Sequence, residues 1–115
     1  MPDRLLTFVE TTIFTKRIMA LALEDALREL QLELLENPGA GDVDPGTGGL
    51  RKIRMPDPHR RKGKRGGTRV HYLWLSHRTR IYLIFVYGKN ESLTLSTAQK
   101  KQLRQVVQQI KQESV

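Results

Sequence analysis

The strongest constraint on the fold is the short gap between two strand-like segments near the middle of the chain. Thr68-Arg69-Val70-His71-Tyr72-Leu73-Trp74-Leu75-Ser76 and Arg80-Ile81-Tyr82-Leu83-Ile84-Phe85-Val86-Tyr87-Gly88 are joined only by His77-Arg78-Thr79. Both are rich in aromatic and β-branched residues, and so short a link permits only an antiparallel hairpin. The link itself has no Gly, Pro or Asn, so the turn signal is weak. The second segment is nearly continuous in apolar side chains, the mark of a strand covered on both faces, and is expected to be central. A third strand, Leu50–Met55, precedes the pair.

Helices flank these strands. Leu5–Val9 reads as a short first strand, and Thr11 or Thr12 is placed to cap a helix carrying Phe14, Ile18 and Leu21. Glu24 and Asp25 suit the start of a second helix, where negative charge meets the positive end of the dipole. Leu23, Leu27, Leu30 and Leu34 then recur at helical spacing, and Asn37-Pro38-Gly39 ends the helix. A glycine-rich loop follows from Gly39 to Gly49. Ser96-Thr97-Ala98-Gln99 is a capping box, opening a last helix with Leu103, Val106, Val107 and Ile110 on one face. The expected order is β-α-α-β-β-β-α, an α+β fold with an antiparallel sheet, two N-terminal helices and a C-terminal helix.

Charge is distributed very unevenly over this framework. Arg51 to Arg69 holds nine Lys and Arg residues against one acid, Asp57, a net +8 that equals the formal charge of all 115 residues. The remainder balances to zero, which is the signature of a polyanion-facing element on a neutral scaffold. Strand periodicity puts Lys52 and Arg54 on one face, and Arg51, Ile53 and Met55 on the other. In the next strand Val70, Tyr72 and Trp74 share a face opposite Arg69 and His71. Paired as a hairpin, Lys52, Arg54, Arg69 and His71 can converge on one surface and grip phosphates. The alternative is a solvated sheet face whose charges guard an edge against aggregation. Arg51 on the strand, with Arg60, Arg61, Lys62, Lys64 and Arg65 in a loop without acids, is expected to contact an RNA or ribosome backbone, a set that carries no base specificity. Tyr72, Trp74, Tyr82 and Tyr87 are candidates for packing, or for stacking on an unpaired base.

Size and composition narrow the field further. At 13.2 kDa the chain makes one domain, residues 1–115, and one of this size buries roughly 60–70% of its unfolded surface. Without cysteine there is no disulfide framework, thiolate metal site or cysteine nucleophile. No stretch approaches the ~20 apolar residues of a membrane span, and Met1-Pro2-Asp3-Arg4 lacks a signal-peptide pattern. A pI near 10.2 points to an anionic partner. Because the cations lie on strands and a loop, not on an amphipathic helix, nucleic acid is favoured over membrane.

Several motifs fail on inspection. Lys62-Gly63-Lys64-Arg65 is no phosphate-binding loop, since Pro58 stands where Gly is needed and Arg65 where Ser or Thr is needed. Asp42-Val43-Asp44-Pro45-Gly46 is no calcium loop, because Ile53 occupies the position of the bidentate acid. His59, His71 and His77 have neither helical metal-ligand spacing nor a clear acid partner in sequence. There is no G-x-S-x-G elbow.

Taken together, Glu10-Thr11-Thr12-Ile13-Phe14-Thr15-Lys16, the run Asn37-Pro38-Gly39 through Gly48-Gly49-Leu50-Arg51-Lys52-Ile53-Arg54, Gly63-Lys64-Arg65-Gly66-Gly67-Thr68-Arg69-Val70, Tyr87-Gly88-Lys89-Asn90-Glu91 and Leu95…Gln99-Lys100-Lys101 resemble the RelE/HigB superfamily of bacterial type II toxin–antitoxin systems, in its HigB-like branch. The resemblance spans nearly the whole chain. It implies a compact RelE-like fold and a cytoplasmic toxin that cleaves mRNA in the A site of a translating ribosome. Lys52 and Arg54 match the family's basic strand pair, Arg69 its phosphate-contacting arginine, and Lys89 the Gly-Lys after the central strand. The resemblance also implies a helix-turn-helix, HigA-like antitoxin, with operator DNA contacted only through that partner. Neither a metal nor another cofactor is implied. Departures occur at Asn90, where some relatives have arginine, and at Ser96-Thr97, where some carry a catalytic tyrosine. Asp44 and Met55 replace a more usual apolar and a more usual aromatic residue.

The expected chemistry is attack of an RNA 2′-hydroxyl on the adjacent phosphate. Arg69 is the expected phosphate clamp, its planar guanidinium spanning two oxygens. Lys52 and Arg54 would stabilise charge in the transition state. Either Lys52, its pKa lowered by neighbouring cations, or His71 could move the proton. A ParE-like gyrase inhibitor and a non-catalytic nucleic-acid-binding module are the competing readings.

Overall fold

Alternation along the central hairpin gives the sheet two faces that are both covered, each by a different part of the chain. The computed structural model describes residues 6–56, 65–88 and 96–113. Its elements run β1 (Thr7–Glu10), α1 (Thr12–Ala20), α2 (Glu24–Glu36), β2 (Asp42–Val43), β3 (Arg51–Pro56), β4 (Arg65–Leu75), β5 (Arg80–Tyr87) and α3 (Thr97–Glu113). The fold is α+β, with five strands ordered β1-β5-β4-β3-β2.

Two features differ from the sequence expectation. β1 pairs with β5 in parallel, Thr7 opposite Arg80 and Glu10 opposite Leu83, so the sheet is mixed and not wholly antiparallel. A two-residue strand in the glycine-rich segment, Asp42–Val43, adds a further edge beside β3. β4 therefore holds the middle of the sheet, and the more apolar β5 lies next to it, interior because β1 covers its other side.

The helices form where their caps and stripes direct. Thr11 accepts the Phe14 amide at 3.1 Å and donates its hydroxyl to the Ile84 carbonyl at 2.7 Å, tying the start of α1 to the sheet. Ser96 and Gln99 complete the reciprocal capping box of α3, at 2.8 and 3.1 Å. Phe14, Ile18, Leu27, Leu30 and Leu34 pack on Ile53, Met55, Val70, Tyr72, Ile81, Leu83 and Val86. On the opposite face Val107 of α3, with Leu103 and Ile110 beside it, packs on Leu50, Leu73, Leu75 and Ile84.

A bulge reconciles β5 with both faces. His71 pairs with Phe85 but Tyr72 with Leu83, leaving Ile84 as the extra residue. Ile84 and Phe85 consequently both pack on the α3 side. The hairpin turn closes by a single 3₁₀ turn, Ser76–Arg78, followed by Thr79 in the left-handed region at φ 50°. That geometry lets a link without Gly, Pro or Asn reverse the chain.

Candidate nucleic-acid interface

On the α3 side of the sheet, side chains change character along the strands. Leu50, Leu73, Leu75 and Ile84 lie beneath α3, and further along the same face come Lys52, Arg54, Arg69, His71 and Tyr87. Register fixes their neighbours. Lys52 stands opposite His71, Arg54 opposite Arg69, and Tyr87 opposite Arg69 on the other side. The expected convergence of Lys52, Arg54, Arg69 and His71 on one face is thus observed. Two arginines directly opposed across a strand pair repel each other and weaken the pair. An anion between them reverses the sign of that interaction. Arg69 is half-buried, and its Nη1 is buried with no hydrogen-bond partner among the described residues.

Lys52, Arg54 and Arg69 line one cleft of about 420 Å³ together with Ile53, Glu33, Ala40, Gly41 and Asp42. The cleft lies where β2 ends and β3 continues without a partner on that side among the described residues. Its wall at residues 38–41 is held by two residues of the sheet. The Tyr72 hydroxyl accepts the Gly41 amide at 2.9 Å and donates to the Pro38 carbonyl at 2.8 Å. Arg51 Nη1 donates to the Gly41 carbonyl at 2.8 Å and to that of Gly39 at 3.3 Å. Gly41 has no room for a side chain, since a Cβ would stand 2.9 Å from the Tyr72 ring and 3.0 Å from the Lys52 carbonyl oxygen.

Arg51 is therefore a correction to the expected binding set. It projects to the face opposite Lys52 and Arg54 and holds backbone carbonyls. His71 needs a correction too. It lies on the expected face but is fully buried, with Nε2 2.9 Å from Asp44 Oδ2 and its ring stacked on Tyr87 at a centroid distance of 5.5 Å. It is not among the residues that line the cleft. Arg65 pairs with Pro56 in the backbone of β4. Lys89 and the loop cations Arg60, Arg61, Lys62 and Lys64 lie outside the described residues, as does the Arg65 side chain.

Asp44 is a site-supporting residue that sequence reasoning did not assign. Its carboxylate accepts from His71 and lies 3.5 Å from Lys100 Nζ of α3. Burial pushes the Asp44 carboxyl up, but the His71 hydrogen bond and the charges of Lys100 and Lys52 outweigh it and hold the group below its ordinary value. Burial pushes His71 down, against the pull of Asp44 and assisted by Lys52 and Lys100. With Asp44 ionised, Nε2 carries the imidazole proton, and the buried Nδ1 has no partner among the described residues. Burial raises both Tyr72 and Tyr87, which suits packing and hydrogen bonding better than proton transfer at neutral pH. The loop after Asp44 is clamped to α3: Lys100, Arg104 and Lys111 donate to the carbonyls of Pro45, Gly46 and Gly48 at 2.9 to 3.1 Å.

No family model matches the chain. Among the described residues there is no cluster of three His, Asp or Glu side chains able to hold a metal ion. Nor is any described helix long and apolar enough to cross a membrane.

Proposed function

We propose that this chain is a ribosome-dependent mRNA endoribonuclease, the toxin of a type II toxin–antitoxin pair, acting in the cytoplasm. The observation that carries the reading is the directly opposed Arg54 and Arg69 at an open cleft shared with Lys52, with a buried Arg69 nitrogen that has no hydrogen-bond partner among the described residues. Three cations held at adjacent strand positions suit a phosphate whose charge grows in the transition state. The sequence resemblance supplies the substrate and the ribosome.

Dependence on the ribosome has a physical basis. His71 is buried against Asp44, so the cleft has strong cations but no exposed imidazole among its described lining. Such a site stabilises charge well and orients RNA poorly by itself. An mRNA strand bent on the ribosome towards in-line geometry contributes the orientation. A basic nuclease surface also needs restraint, and an acidic segment of a helix-turn-helix antitoxin has the charge to cover it.

The same burial of His71 favours a second reading, a non-catalytic nucleic-acid-binding module. Primer-extension mapping on an mRNA, with and without programmed ribosomes, separates the two. Ribosome-dependent cuts that disappear in Arg69→Ala support the nuclease. Salt-dependent RNA affinity without cuts supports the binding module, and gyrase inhibition would instead support a ParE-like toxin.

A further inference from the structure

A buried carboxylate stands on the face that carries the cations. The Asp44 amide donates to the Leu50 carbonyl at 2.8 Å, continuing the pairing of Asp42 with Lys52 and Val43 with Arg51. Asp44 therefore shares the α3 side of the sheet with Leu50 and Lys52. Its Oδ2 lies 2.9 Å from His71 Nε2, and its Oδ1 lies 3.5 Å from Lys100 Nζ. We propose that Asp44 is a positioning residue of the cationic face, acting through His71 to hold Lys52 and Arg69 ready for a phosphate. The inference rests on the reading of the chain as a ribosome-dependent endoribonuclease.

Register sets the His71 ring beside both cations. Lys52 stands opposite His71 on β3, and Arg69 precedes it by two residues on the same face of β4. The ring also stacks on Tyr87 at 5.5 Å, and Tyr87 is the cross-strand partner of Arg69. His71 and Tyr87 are both buried, so together they form a floor under the cations, and Asp44 fixes its histidine. Charge points the same way. Burial raises Asp44, yet His71, Lys100 and Lys52 together hold it below its ordinary value. Burial also raises Tyr87, on which Asp44 and Arg69 act with opposite signs.

Such a floor answers a specific need. Like charges on adjacent strands repel, and Arg69 Nη1 has no hydrogen-bond partner among the described residues to hold it in place. A fixed negative charge in a poorly solvated setting offsets that repulsion before any anion arrives. Asp42 also stands on this face, opposite Lys52, but it is exposed and water weakens its field.

The test compares wild type with Asp44→Asn, which keeps the shape of the side chain and removes its charge. Single-turnover cleavage of mRNA on programmed ribosomes gives the maximal rate and the half-saturating concentration. Displacing a reacting group by about 1 Å costs about 10²-fold, and a fall of that order in maximal rate is expected. RNA affinity by fluorescence anisotropy should be unchanged or tighter, because the formal charge rises by one above +8. Should the asparagine variant not fold, His71→Gln breaks the same link from its other side and should give the same split. Lys100→Met removes the tie of Asp44 and Pro45 to α3, and should lower stability while keeping the wild-type rate. A second readout needs no activity: melting temperature in sodium phosphate against sodium chloride at equal ionic strength. Asp44→Asn should gain more from phosphate than wild type does, since the anion replaces the missing charge.

A wild-type maximal rate in folded Asp44→Asn or His71→Gln overturns the inference, and so does a loss of affinity matching the loss of rate. An equal loss of rate in Lys100→Met makes Asp44 an anchor for α3 and overturns it too. Absence of ribosome-dependent cuts by the wild-type protein overturns the nuclease reading instead. The phosphate comparison then decides the positioning role by itself, an equal gain in both proteins being the result against it.

Discussion

His71 Nε2 lies 2.9 Å from Asp44 Oδ2, and the pair joins the basic face of the sheet to α3 through Lys100. Asp44→Ala leaves both ring nitrogens of a fully buried imidazole without partners among the described residues. An unmet buried polar group costs about 1–3 kcal/mol, and chemical denaturation should show a loss of that size. In the double variant Asp44→Ala/His71→Leu the loss should be smaller than the sum of the single effects, as measured by a double-mutant cycle.

Both groups of this pair have folded-state pKa values below their ordinary ones, 6.5 for His71 and 3.8 for Asp44. The folded protein therefore binds fewer protons than the unfolded chain, and acid favours unfolding. The contribution of His71 is complete above 6.5 and declines as pH falls below that value towards the folded pKa. That of Asp44 is complete above 3.8 and declines further down. Urea midpoints measured from neutral pH downwards should fall first in the histidine range. His71→Leu should flatten that first phase and leave the lower one.

The Tyr72 hydroxyl serves the cleft wall twice, accepting from Gly41 and donating to Pro38. Tyr72→Phe strands the Gly41 amide in a buried setting and should cost about 1–3 kcal/mol. Gly41→Ala forces a methyl group against the Tyr72 ring and should cost a similar amount, about 1–3 kcal/mol, through overpacking. Thermal unfolding of the two variants measures both effects.

Thr79 adopts φ 50°, ψ 42° at the tip of the β4–β5 hairpin. A β-branched residue is poorly suited to that region, whereas Asn adopts it readily. Thr79→Asn should raise stability by about 1 kcal/mol, the lower end of the cost of left-handed backbone. A higher melting temperature with unchanged RNA affinity is the expected result.

Each cation of the cleft that meets a phosphate should appear in the salt dependence of binding. For single-stranded RNA the slope of log K against log salt should shrink by about 0.7 for each contact removed. Arg69→Ala and Arg54→Ala are expected to reduce the slope by this amount. Arg51→Ala, whose guanidinium is turned to the Gly39–Gly41 backbone, should leave it unchanged.

Short-range patterns carried much of this into the sequence. Period two placed Lys52, Arg54, Arg69 and His71 on one face because a strand has no other way to arrange them. The leucine stripe of α2 and the Ser96–Gln99 box likewise encode their own geometry. What stayed hidden depends on contacts distant in sequence. Asp44 is 27 residues from His71, in a glycine-rich loop whose path only the clamp by α3 determines. Period two already sets Arg51 apart from Lys52, but its hold on the Gly39 and Gly41 carbonyls depends on the packing of the 38–41 wall. Glu33 reads as one more polar position on an amphipathic helix until the fold brings α2 beside β3. Parallel pairing of β1 with β5 has no local signal, since it joins Thr7 to Arg80.

That last pairing governs the order in which a nascent chain can complete itself. Synthesis proceeds from the N-terminus, so β1, α1 and α2 leave the ribosome long before the strand against which β1 must lie. Until Arg80–Tyr87 has emerged, Phe14, Ile18, Leu30 and Leu34 have only part of their sheet to cover them. The opposed arginines of β3 and β4 meet their repulsion in the same interval, without the interior strand that braces Arg69 through Tyr87. Sheet closure is therefore a late event, and a chain cut short before Tyr87 should be a substrate for proteolysis rather than a working protein.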